Sequence, residues 1–119
     1  MPSEPATVRH LLERGAADFN AGRFFEAHDS WEAAWRATPG AGREGYQGLV
    51  QLAVALHHSH HGNLKGAQSV LAKSLEHLRA AHASKEVDVE GLLVEARRLE
   101  AWLKQPAGMV PLLRVRLKS

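Results

Sequence analysis

Between Phe19 and Arg36 the chain reads FNAGRFFEAHDSWEAAWR, and within it His28 and Glu32 stand four residues apart. Residues at that spacing are neighbours on a helix surface, so the carboxylate can reach an imidazole nitrogen or share a third partner with it. More imidazoles follow in HHSHHGN, where His57 lies three residues from His60 and four from His61. At those spacings two rings can hold one cation.

Three chemistries are open to this set. Glu32 can fix the His28 ring as a satisfied structural pair. It can orient His28 for proton transfer, as the orienting carboxylate does in a hydrolytic triad. Or His28, Glu32 and His57 can hold a divalent metal ion, since two histidines and one carboxylate with an open position form a recognised catalytic set. HDSWE lacks the second histidine of the zinc-protease helix motif. Histidines near a helix C-terminus also interact favourably with the negative end of its dipole, with no metal needed. We expect His58 and His61 to be solvated, and His60 to be either core or ligand.

The surroundings of these groups are aromatic. Phe24, Trp31 and Trp35 have the spacing of core residues, and Trp35 could also wall a pocket with its indole N–H as donor. Gln47 and Gln51 share a polar flank of the following helix. Asp29 and Arg36 lie with Phe25 on an adjoining stripe and read as a surface ion pair. There is no cysteine among the 119 residues, which excludes disulfides, thiolate zinc sites and cysteine nucleophiles. No serine or threonine sits in a nucleophile elbow, and no glycine-rich loop follows a strand. Enzyme activity is therefore left open: a metal-free His28–Glu32 dyad could still move protons, but no nucleophile or cofactor motif accompanies it.

The elements that must position these groups are helices, because apolar residues recur three and four apart and no alternation of two stands out. A first helix is expected from near Pro5 to Asn20, with Val8, Leu11, Leu12 and Phe19 inward and Gly22 ending it. A second runs from about Arg23 to Ala37 and places Phe24, Ala27, His28, Trp31, Ala34 and Trp35 on one side, with Glu32 on the flank and Glu26, Ser30 and Ala33 away. A third runs from about Arg43 to His61, ended by Gly62, with His57 continuing its buried side. Asn63 caps a fourth, to about Ala83. Ser84 or Asp88 caps a fifth, ending near Leu103. KQPAGMVPLLRVRLKS, with two prolines and a glycine, should be extended, and its Met109, Val110, Leu112 and Leu113 should pack on something. The fold class is all-α: a compact bundle of about five antiparallel helices over residues 1–104, with an extended C-terminal tail over 105–119. Paired helices of this length could also stack in a tetratricopeptide-like way, although no repeat of solenoid period is visible.

Composition narrows the function further. A chain of 119 residues fits one domain. The formal net charge is +2 and no cluster of Lys and Arg interleaved with aromatics occurs, which argues against a nucleic-acid surface. No stretch approaches the roughly 18 apolar residues that read as a membrane span. MPSEPATVRH has no apolar run behind a basic stretch, so a cytoplasmic protein is the default reading.

Two blocks carry a family resemblance. The first is an aromatic, Asn20, Gly22, Phe24-Phe25, His28-Asp29, Glu32 and Trp35. The second is Gln47-Gly48-Leu49-Val50-Gln51-Leu52-Ala53, then His57, Gly62-Asn63 and Gly66-Ala67. Together they resemble the bacterial and archaeal family known as domain of unknown function 309. One departure is Asp29, where that family usually has glutamate. The resemblance implies a small all-helical domain with tetratricopeptide-like packing, implies no particular activity, and singles out His28, Glu32 and His57.

The leading expectation is a pocket between the second and third helices, lined by His28, Glu32, Trp35, Gln47, Gln51 and His57, that binds a metal ion or a small ligand. The alternative is an interaction module in which the His–Glu pair only fixes helix geometry. There the apolar tail docks on a second copy, making a homo-oligomer, or on another protein.

Overall fold

A side chain that accepts a backbone N–H starts three of the helices, as the free amides of a first turn require. The computed structural model describes residues 7–81 and 84–118. In it, α1 (Val8–Asn20) is capped by Thr7, whose hydroxyl accepts from the His10 amide. The expected start at Pro5 lies outside the described residues. Helices α2 (Phe24–Arg36) and α3 (Arg43–His60) follow, with a single 3-10 turn at Gly40–Gly42 between them. Asn63 caps α4 (Leu64–Ala80) through the Gly66 amide. Asp88 caps α5 (Val89–Lys104) through the Gly91 amide, while Ser84 accepts from Val87 and closes the preceding turn instead. Gly22 and Gly62, with φ of 83° and 77°, make the left-handed turns that separate α1 from α2 and α3 from α4.

Each helix packs on the next in sequence: α1 on α2, α2 on α3, α3 on α4 and α4 on α5. Short connections make these pairs antiparallel hairpins. Two glycines set how closely they approach. The Trp31 indole lies directly over Gly15, where a Cβ would collide with it, and its Nε1 donates to the Leu12 carbonyl at 3.1 Å. Between α3 and α4, a Cβ on Gly48 would stand 2.6 Å from Leu78 Cδ2, and Ser74 Oγ donates to the Gly48 carbonyl at 2.7 Å.

The core runs continuously through Leu12, Phe19, Trp31, Leu52, Leu78 and Leu99, all essentially inaccessible. Ser30 departs from the expected outward position and is buried. Helix α2 has α1 on one side and α3 on the other, so its buried arc is wider than the single apolar stripe suggests. Residues after Lys104 are extended and return along the domain. Leu113 and Val115 are buried, whereas Met109 and Leu112 are exposed. The inward residues therefore alternate along Leu113, Val115 and Leu117, and Leu117 forms an antiparallel bridge with Val87. Among the described residues, no helix is long and apolar enough to cross a membrane.

Candidate functional site

Where α2 meets α3, His28 and His57 face one cleft of about 190 Å³ whose other walls are Phe24, Phe25 and Val54. Three spacings create it. Phe24 and His28 are one turn apart on α2, Phe25 and His28 three residues apart, and Val54 and His57 three residues apart on α3. Past Phe24, Phe25 and His57 the cleft continues into a wider groove of about 460 Å³, bounded by His60, His61 and Leu112 of the tail.

Carboxylates bracket His28. Its Nε2 lies 3.2 Å from Glu32 Oε2 and its Nδ1 lies 3.4 Å from Asp29 Oδ1. Nδ1 is nevertheless buried without a hydrogen-bond partner among the described residues, because Asp29 is not aligned with it. The other Glu32 oxygen accepts from Arg36 Nη2 at 2.6 Å. Arg36 thus pairs with Glu32, one turn away, and not with Asp29 as expected. Seven residues separate Asp29 and Arg36, a rise of roughly 10 Å along the axis, which favours the nearer partner.

The His57 imidazole is held below its ordinary pKa, first by burial and then by the neighbouring His61, His58 and His28 rings. It is therefore neutral at pH 7, with one nitrogen able to donate and the other to accept. Its ring centroid is 4.2 Å from that of His61. His61 Nδ1 lies 2.8 Å from the His57 carbonyl. A carbonyl can only accept, so that nitrogen carries a proton and donates it to the contact. His60 is exposed and stacks on Phe24, with centroids 5.3 Å apart and the planes inclined by 22°.

The remaining expected pocket residues lie elsewhere. Trp35 carries the Arg43 guanidinium 4.2 Å above its ring and accepts from Arg43 Nε through its carbonyl at 3.3 Å, so it anchors the start of α3. Gln51 faces α4, where its Oε1 accepts from His77 Nδ1 at 2.8 Å. His77 Nε2 in turn lies 3.8 Å from Glu44 Oε2. Six residues separate Gln51 from His57, which at 3.6 residues per turn is about 120° around the helix. Gln47, half-buried one turn before Gln51, is not among the cleft walls either. Glu32 touches His28 but does not line the cleft that the two histidines share. Among the described residues, no group of three or more His, Cys, Asp or Glu side chains is set to hold a metal ion, so His28, Glu32 and His57 are not gathered into a three-ligand set. Sequence reasoning missed Val54 as a wall, and it placed Phe25 on a surface stripe, where Phe25 is indeed 60% exposed, without seeing that its ring also borders the cleft. The available signal was their three-residue spacing from His57 and His28.

Residues 12–70 match the family model described as Domain of unknown function (DUF309). These residues belong to that family. The DUF309 stretch begins within α1, takes in all of α2 and α3, and ends within α4, so it contains every wall of the cleft except Leu112 of the wider groove. The Uncharacterized protein YpuF of Bacillus subtilis (strain 168) is 39% identical to the chain over 83 residues, which is 68% of this chain and 45% of YpuF. The match thus spans about half the length of that relative.

Proposed function

We propose that this DUF309 domain is a binding module whose α2–α3 cleft takes a small, largely apolar organic ligand carrying one or two hydrogen-bonding atoms. The observation that supports it is the convergence of His28 and His57 on a cleft otherwise walled by Phe24, Phe25 and Val54. Ligand sites are mostly apolar concavities of roughly 300–1,000 Å³ with a few placed polar groups. The inner cleft of about 190 Å³ is small for this alone, but with the adjoining groove of about 460 Å³ it reaches that range. A neutral His57 can donate to one ligand atom and accept from another.

A small-molecule reading is favoured over a metal ion because the third side chain, Glu32, is engaged by Arg36 and stands outside the shared cleft. Fragment screening by NMR tests both. Aromatic fragments bearing a donor or acceptor should shift the ring C–H signals of His28 and His57 in the native chain and lose that effect in a Val54→Trp variant that fills the cleft. No fragment acting there at millimolar concentration would remove the proposal. Stoichiometric zinc or manganese in chain purified without a histidine tag, lost on His28→Ala, would replace it with the metal reading.

A further inference from the structure

Nearly every polar contact that holds the tail is made to its backbone. Asn20, at the end of α1, donates from Nδ2 to the Val115 carbonyl at 3.0 Å and accepts from the Val115 amide at 2.8 Å. One side-chain amide thereby satisfies a tail residue as a neighbouring strand would. From α5, Glu95 Oε1 accepts from the Arg114 amide at 2.9 Å and Arg98 Nη1 donates to the Leu112 carbonyl at 3.2 Å. In the loop before α5, the Glu86 carbonyl accepts from the Lys118 amide at 2.9 Å beside the Val87–Leu117 bridge. Among the described residues one tail side chain joins in, with Lys118 Nζ donating to the Ser84 carbonyl at 2.9 Å. Leu113 and Val115 fill the floor. Helix α1, helix α5 and the loop before α5 thus form a groove that recognises an extended strand with apolar residues at alternate positions, as in strand-addition recognition.

The segment leading into that strand is held loosely. Gln105 to Met109 is exposed throughout, Gly108 has φ of 70°, and among the described residues two hydrogen bonds tie it down, both to Trp102: the Gln105 amide donates to the Trp102 carbonyl at 3.1 Å, and Trp102 Nε1 donates to the Ala107 carbonyl at 3.1 Å. Met109, 88% exposed, and Leu112, 77% exposed, stand beside this hinge as apolar surface that the monomer leaves uncovered.

We infer that the α1–α5 groove is a docking surface for the tail of a second copy of this chain, so that two copies form a dimer by exchanging residues 110–118. Every bond described above forms unchanged when the strand comes from the other copy, because donors, acceptors and apolar residues are the same. The balance between closed monomer and exchanged dimer then rests on the hinge and on the apolar surface beside it. A tethered strand competes at an effective concentration in the millimolar range, which favours the monomer when the chain is dilute. The exchanged form brings the two hinges together and gives Met109 and Leu112 a surface to cover. Shortening the hinge removes the tether's advantage, since the strand can no longer reach its own groove.

Light scattering on the full chain from about 10 μM to about 1 mM spans the range in which such a tether is outcompeted. A dimer fraction rising with concentration is expected. Deleting residues 106–108 should lower the concentration of half-dimerisation at least about tenfold. Mixing isotope-labelled with unlabelled native chain identifies the contact: nuclear Overhauser effects between the Asn20 side-chain amide and Val115 must cross between copies. A native chain that stays monomeric to about 1 mM overturns the inference. So does a folded hinge-deleted chain that is monomeric, or a dimer without the Asn20–Val115 cross-copy signal. The native chain decides the matter even where the deletion does not fold.

Discussion

Glu32 bridges two side chains of its own helix: Oε2 lies 3.2 Å from His28 Nε2 and Oε1 accepts from Arg36 Nη2 at 2.6 Å. All three side chains project from α2 at four-residue steps, so the ladder is local to one helix and crosses to no other element. Exposed pairs of this kind contribute about 0.3–0.5 kcal/mol each. Glu32→Gln should therefore cost under about 1 kcal/mol of unfolding free energy in a urea titration. A loss above about 2 kcal/mol would show that the carboxylate holds the fold through a partner outside α2.

The depressed pKa of His57 fixes the sign of one pH dependence. The folded state disfavours the charged ring, so the unfolded chain binds the proton more readily between the folded value and the ordinary value of 6.5. The contribution is complete above about pH 6.5 and is lost as pH falls below it. The urea midpoint should drop between pH 7.5 and pH 5.5, and His57→Gln should flatten that drop. A native chain more stable at the lower pH, with the variant unchanged in slope, would contradict the assignment.

Gly15 tests the packing of α1 on α2. Alanine ordinarily gains about 1 kcal/mol over glycine inside a helix. Here the new methyl meets the Trp31 indole, which is fully buried and fixed by its bond to Leu12. Overpacking a rigid site costs about 1–3 kcal/mol, so Gly15→Ala should be net destabilising. Thermal unfolding with Trp31 fluorescence as a second probe checks it, and a raised Tm would show that the indole can move aside.

Helix boundaries were legible because their signals are local. Asn63 and Gly62 each act within four residues, and a cap or a left-handed turn needs no knowledge of distant packing. The candidate site was legible only in its imidazoles. His28 and His57 share a cleft because α2 and α3 pack, which their apolar stripes foretell. Gln51 points to His77 because α3 is flanked on both sides and a polar flank can serve either neighbour, while Trp35, near the end of α2, meets Arg43 at the start of α3. Ser30 was misplaced for the same reason on α2. In the tail, the alternation Leu113, Val115, Leu117 was present but short, and its meaning depends on Asn20, 95 residues away in sequence.

The division of α3 into two faces yields the sharpest discrimination between the cleft and its surroundings. Gln51 and His57 lie about 120° apart on the same helix, so they should respond independently. Gln51→Ala breaks the bond to His77 and should cost about 1 kcal/mol of stability. It should leave the affinity of any fragment seated against His28 and His57 within about twofold, since a fully shared contact would shift it about tenfold per 1.4 kcal/mol. His57→Leu should do the reverse, weakening that fragment at least about tenfold through the lost donor and acceptor. Titrating one fragment into both variants by NMR, with urea midpoints measured alongside, separates the two faces. If Gln51→Ala weakens binding as much as His57→Leu, the ligand lies toward α4 and the cleft between α2 and α3 is not its seat.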